Sequence, residues 1–179
     1  EHNHVLFDEL NKRQSSYNTS EMILAATLDG DGDRCLLVRV NSKATGIEVV
    51  DGDQMLDALA MAASEITPQI KGMIAASIES DLSLLNSLQR LDAELEAVET
   101  AVGDRWLAVA LRGNLTSSNE PFIIGGEDSG HLLLTTPHPI QGDEWRLVGD
   151  GIATLVASIC ALTTCSEKQG FQFGWKSRQ

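Results

Sequence analysis

Met22-Ile23-Leu24-Ala25-Ala26-Thr27-Leu28-Asp29-Gly30-Asp31-Gly32-Asp33-Arg34-Cys35-Leu36-Leu37-Val38 carries an apolar run into an acidic loop and out again. Residues 22–28 read as a buried strand whose carboxyl end delivers the loop, and in open α/β sheets ligands bind at that end of the strands. Inside the loop, three carboxylates alternate with glycines, whose tolerance of positive φ lets the chain fold back and turn the acids toward one point. Such a set of hard oxygen ligands suits a hard divalent cation, and Mg²⁺ in particular keeps open positions for water or a substrate phosphate. The guanidinium fork of Arg34 matches the oxygens of a phosphate, so metal and arginine on one short loop point to phosphoryl chemistry.

Two other cation loops are excluded by spacing. An EF-hand starting at Asp29 would need Gly at its sixth position and Glu at its twelfth, where this chain has Arg34 and Val40. A calcium-binding β-helix would repeat the Gly-Asp motif at a fixed period, and no repeat follows. A solvated acidic turn is the plain competing reading, against which stands the apolar run on each side.

Working outward, 5–10 has helical spacing and ends in the polar stretch 14–20. Residues 36–40 and 47–50 read as strands, and Met55, Leu56, Leu59, Ala62, Ala63 and Ile66 mark one face of a helix after Asp53. Alternation continues with a strand over 72–77, a helix over 81–94 with Ser80 as its N-cap, a strand over 95–100 and a helix over 104–112. Asp104 at that helix start reads equally as a capping acid or a substrate contact. Residues 122–125 and 131–135 form a strand pair around a Gly-rich bend, and 152–162 is the closing helix. The expected fold is therefore an α/β layered mixed sheet with flanking helices, preceded by the tail of another α/β domain. The division expected is 1–45 for that tail, 46–165 for a complete domain and 166–179 for a linker, in which Phe171, Phe173 and Trp175 alternate as one further strand.

The chain of 179 residues has a formal charge of −13, and its Lys and Arg residues gather into no stripe, which argues against nucleic-acid and anionic-membrane partners. Its longest apolar stretch, 152–162, is too short to span a bilayer. Cys35, Cys160 and Cys165 have no metal-ligand spacing and read as reduced core residues; with no secretory signal at Glu1-His2-Asn3-His4, a cytoplasmic location is expected. His2, His4 and His138 read as surface residues, and Trp106 and Trp145 as core or cleft-wall aromatics.

A second chemistry-bearing segment follows an apolar strand: Gly125-Gly126-Glu127-Asp128-Ser129-Gly130-His131. Read from its residues, it exposes a carboxylate, a hydroxyl and an imidazole on a flexible bend, as donors and acceptors for sugar hydroxyls; a plain turn fits equally well.

DGDGDR at 29–34 together with GGEDSGH at 125–131 resembles the α-D-phosphohexomutase superfamily of phosphoglucomutases, phosphomannomutases and phosphoglucosamine mutases. The resemblance extends to Val50-Asp51-Gly52-Asp53-Gln54, to Thr100 with Val102-Gly103-Asp104-Arg105, and to Gly149-Asp150-Gly151-Ile152, all in family order, from the end of the family's second domain through its third. It implies a Mg²⁺-dependent intramolecular phosphotransferase acting on a hexose or hexosamine phosphate, with a phosphoserine donor and a bisphosphorylated intermediate. Carried onto this chain, Asp29, Asp31 and Asp33 would ligate Mg²⁺, Arg34 would be the catalytic residue in contact with the phosphoryl group or its serine, and Glu127, Ser129 and His131 would bind the sugar. The partners implied are the hexose phosphate and the enzyme's remaining domains. VDGDQ and VGDR resemble the phosphoglucosamine mutase branch, although Glu144-Trp145-Arg146-Leu147-Val148 replaces that branch's Lys-Thr-Thr-Thr-like run. Neither the phosphoserine loop nor the fourth domain's phosphate clamp is present, so this polypeptide is expected not to turn over unaided. The alternative functions are a non-catalytic cation or phosphosugar-binding module and a structural interaction domain.

Overall fold

The computed structural model describes residues 5–13, 23–41, 46–91, 94–115, 122–141 and 144–169. After helix α1 (Val5–Arg13), strands β1 (Ile23–Leu28), β2 (Cys35–Asn41) and β3 (Gly46–Val50) form an antiparallel sheet in that order. Arg39 and Glu48 face each other in the β2–β3 register and form a cross-strand ion pair. Because β2 and β3 share one sheet, the division expected at 45/46 runs through their hairpin.

A second, mixed sheet has the order β5-β4-β6-β7-β8, built from β4 (Lys71–Ser77), β5 (Glu94–Thr100), β6 (Phe122–Gly126), β7 (Leu132–Pro137) and β8 (Trp145–Gly149). The β4–β5 and β4–β6 pairs are parallel, whereas β6–β7 and β7–β8 are antiparallel. Helices α2 (Gly52–Ile66), α3 (Leu82–Leu88), α4 (Asp104–Arg112) and α5 (Gly151–Gln169) complete the fold. Apolar side chains on β4 alternate between the two faces, as the strand period requires. Ile74 and Ala76 pack with Leu56 and Ala60 of α2 and Leu84 and Leu88 of α3, while Met73 and Ala75 pack with Leu107 and Leu111 of α4. Cover on both faces gives the layered α/β architecture and explains why β4 is buried along most of its length.

Helix α5 lies against α2 through Ala58, Ala62, Ala161 and Cys165, small side chains that let the helices approach closely. It also touches the three-stranded sheet, where Cys35, Leu37, Val50, Met55 and Leu132 form a shared core. That core joins the two sheets and fixes the acidic loop relative to β7.

Several expectations need correction. The 22–28 run is not a buried strand: β1 is an outer strand of its sheet and Leu28 is 44% exposed. Ser80 does not cap α3. Asp81 does, accepting from the backbone N–H of Ser83 at 2.7 Å, and the helix stops at Leu88 instead of continuing to 94. Strand β8 has no counterpart in the reading of the sequence. Helix α5 outruns the apolar stretch 152–162 because Cys165 finds a core site against α2, while Thr163 and Thr164 satisfy their hydroxyls within the helix on the carbonyls of Ile159 and Cys160. Its last residues, to Gln169, thus take up the start of the supposed linker. Cys160 is exposed, unlike the other two cysteines, and Trp106 is 48% exposed on α4. The positions of His2, His4, Phe171, Phe173 and Trp175 lie outside the described residues.

Candidate functional site

The acidic loop is drawn into shape by its own backbone. Asp29 Oδ1 accepts from the N–H groups of Gly32 at 3.1 Å and Arg34 at 3.3 Å, folding the loop back over its own first residue. One carboxylate oxygen from each of Asp29, Asp31 and Asp33 then lies within 4.8 Å of the other two. Arg34, half exposed, holds its Nε 3.7 Å from Asp29 Oδ2 and 3.8 Å from Asp33 Oδ1. Burial pushes the Asp29 carboxyl up, but hydrogen bonds from the Arg34 and Gly32 backbone and from neighbouring carboxyls outweigh it and leave it below the ordinary value. Asp33 moves the other way: desolvation and the charges of Asp31 and Asp29 raise it despite the opposing His131. Asp33 Oδ1 is buried without a hydrogen-bond partner. Three converging carboxylates, with a buried Asp33 oxygen beside them that no hydrogen bond satisfies, suit a hard divalent cation, which would relieve the mutual repulsion of the acids.

The 125–131 segment packs directly against this loop. Arg34 and His131 pair as an isolated antiparallel bridge, and Cys35 N donates to Gly130 O at 3.0 Å. Gly130 has φ +88°, and a Cβ there would stand 2.2 Å from the Cys35 carbonyl oxygen, so only glycine fits. His131 Nδ1 lies 3.2 Å from Asp33 Oδ2, at an angle short of a hydrogen bond, and the pair is ionic only when the imidazole is protonated.

The remaining motifs meet on these two loops. Gly52 N donates to Asp128 O at 3.0 Å, Gly151 N donates to Gly32 O at 2.8 Å, and Glu127 Oε1 accepts from Gly103 N at 2.6 Å. Ser129 Oγ stands 3.4 Å from Glu127 Oε2. All seven residues singled out from the sequence therefore belong to one connected region. Their exposure differs from the expectation of an open, flexible bend, since Glu127 and His131 are buried and only Asp128 and Ser129 reach toward solvent. The loop is sandwiched between the acidic loop, the start of α2 and the start of α4, a packing that local polarity cannot reveal.

Asp104 is not the cap of α4; Gly103 occupies that position with no side-chain cap, and Asp104 sits in the first turn. Sequence reasoning also missed Asp53 as a buried participant beside the site. Its Oδ2 accepts from Asp81 N at 2.6 Å, and burial raises its pKa to about 6. No local signal marks it, because its burial depends on the Asp81 turn that packs against the start of α2.

A family model described as phosphoglucomutase/phosphomannomutase, alpha/beta/alpha domain III, matches residues 51–170. The chain belongs to this family. Its place is in the α-D-phosphohexomutase superfamily, whose third domain has this mixed sheet with flanking helices. Among relatives, it is 36% identical over 126 residues to a phosphoglucosamine mutase of Acidothermus cellulolyticus, covering 70% of this chain and 23% of the relative. It is 40% identical over 120 residues to phosphoglucosamine mutase 1 of Shewanella frigidimarina, covering 67% of this chain and 24% of that protein. The chain thus spans about a quarter of the length of these relatives. Among solved structures, an N-acetylglucosamine-phosphate mutase in its apo form superposes with TM-score 0.60 at 13% identity, over 91% of this chain and 36% of the other. A phosphomannomutase-like structure from Thermus thermophilus gives TM-score 0.56 at 23% identity, over 87% of this chain and 31% of the other. Within this superfamily fold, no described helix is long and apolar enough to cross a membrane.

Proposed function

We propose that this chain supplies the metal loop and the sugar-binding domain of a phosphohexomutase that moves a phosphoryl group within a hexose or hexosamine phosphate through a bisphosphorylated intermediate. The observation that carries this reading is the junction of the two loops: three carboxylate oxygens within 4.8 Å of one another, joined through the Arg34–His131 bridge to the segment bearing Glu127 and Ser129. Asp29, Asp31 and Asp33 would hold Mg²⁺, which when bound neutralises charge on the transferring group. Arg34 adds a second positive charge beside the same oxygens, and its fork can engage a phosphoryl group bidentately. Ser129, half-buried with its hydroxyl 3.4 Å from Glu127 Oε2, would offer a donor and an acceptor to sugar hydroxyls, with the buried Glu127 and His131 beside it. The donor phosphoserine belongs to the remaining domains of the same enzyme, and the site of action is the cytoplasm. The relatives named phosphoglucosamine mutase favour a hexosamine phosphate as substrate.

The test uses the full-length protein. Titration with Mg²⁺ in a calorimeter should give saturable heat in the wild type, and Asp31→Asn should lose roughly tenfold or more in affinity, with mutase turnover falling in parallel and the unfolding midpoint unchanged. Absence of Mg²⁺ binding, together with normal turnover in Asp31→Asn, would refute the reading. Retained phosphosugar affinity with no turnover in the wild type would favour a non-catalytic binding module.

A further inference from the structure

Glu127 is buried, yet its carboxylate is already engaged. Oε1 accepts from the backbone N–H of Gly103 at 2.6 Å, and the other oxygen faces Ser129 Oγ at 3.4 Å. Gly103 is the N-cap residue of α4, held at φ +115°, a conformation that glycine tolerates and other residues rarely adopt. Having no side chain, it cannot accept from the helix's first free N–H groups, of which Arg105 N donates to Asp104 Oδ1 at 2.5 Å instead. A carboxylate arriving from the end of β6 takes the N–H of Gly103 itself: it anchors the turn and places negative charge at the positive end of the helix. Just beyond that anchor stand Asp104 and Arg105, both exposed, with the Arg105 guanidinium 5.5 Å from the Trp106 ring.

We infer that Glu127 is a positioning residue that latches the 101–105 turn and the start of α4 to the 125–131 segment, so that ligand contact at one is felt at the other. The inference builds on the reading of 125–131 as a sugar-binding loop, but the latch itself is a property of the protein without ligand. A sugar hydroxyl reaching Glu127 shares a carboxylate that also fixes Gly103. Tightening one contact therefore alters the restraint on Asp104 and Arg105.

Amide hydrogen exchange at residues 103–106 of the full-length protein, without substrate, tests the latch directly. Glu127→Ala should speed that exchange about tenfold or more, whereas Glu127→Gln, whose amide oxygen can still accept from Gly103, should stay within about threefold of wild type. In a mutase assay the same Gln variant should restore most of a KM that rises about fivefold or more in Glu127→Ala, with kcat changing less. Should Glu127→Ala fail to fold, Glu127→Asp replaces it: the charge is kept, the oxygen is withdrawn by one methylene, and protection should be lost. Unchanged exchange in both the Ala and Asp variants would overturn the inference, as would exchange in Glu127→Gln as fast as in Glu127→Ala. A wild type with no mutase activity would refute the proposed function and leave the exchange result to decide the latch by itself.

Discussion

Asp57 is a carboxyl group on a helix face that would otherwise be apolar. It is buried in α2, its Oδ1 accepts from Ser87 Oγ of α3 at 2.8 Å, and desolvation raises its pKa from 3.8 to about 6. The folded protein holds this proton more tightly than the unfolded chain does. Its stabilising contribution is therefore complete below about pH 4 and is lost as pH rises through about 6. A carboxyl raised that far corresponds to roughly 3 kcal/mol as an upper bound. Asp57→Asn, neutral at every pH, is expected to be more stable than wild type at pH 8 by about 1–3 kcal/mol, with the gain vanishing near pH 4. Urea unfolding at the two pH values checks this, and a difference independent of pH would contradict it. Burial of Asp57 was not legible in the sequence, because an isolated acid within a helical pattern reads as solvent-facing until the neighbouring helix is placed.

At the scale of elements, α2 shows how local chemistry and packing agree. Asp51 Oδ1 accepts from Gln54 N at 2.9 Å while Gln54 Oε1 accepts from Asp51 N at 3.1 Å, a reciprocal capping box. Asp51→Ala removes one half of it and should cost about 1 kcal/mol, read as a fall in melting temperature of about 2–4 °C for a chain of this size. Loss smaller than the error of the scan would mean that packing of Met55 and Leu56 sets the helix start without the cap. Elements of this kind were legible: the 3.6-residue spacing of Met55, Leu56, Leu59 and Ala62 announced α2, and the run 104–112 matched α4 end to end. Elements whose stability comes from neighbours were not. Strand β8 has only five residues and finds its register on β7, with Trp145 opposite Pro137 and Gly149 opposite Leu133. The α3 cap is Asp81, whose carboxylate takes the Ser83 N–H while its own N–H is held by Asp53 of α2, a contact no local pattern encodes.

For the whole molecule, the decisive fact is convergence. Motifs at 29–34, 50–54, 102–105, 125–131 and 149–152 come together because the 125–131 segment follows the central strand β6 and touches all of them. Each motif could be picked out by residue type, but their meeting depends on the strand order β5-β4-β6-β7-β8 and on the core shared between the sheets. Gly130 tests this convergence. Alanine there combines strain at φ +88° with a clash against the Cys35 carbonyl and should cost about 2–4 kcal/mol. Gly30→Ala is the control, since a Cβ at Gly30 would meet nothing within 4 Å; its cost should stay within about 0.5 kcal/mol. Equal denaturant midpoints for the two variants would mean that the loops are not rigidly joined.

The joints among these loops are made largely of peptide groups: Cys35 N to Gly130 O, Gly52 N to Asp128 O, Gly151 N to Gly32 O. A bond between main chains survives replacement of side chains that point away from it, though not of the glycines at these joints, where a Cβ would collide. Positions such as Asp128 and Ser129 can therefore be rewritten over evolutionary time while the scaffold beneath them stays in register, leaving selectivity free to drift as the architecture persists.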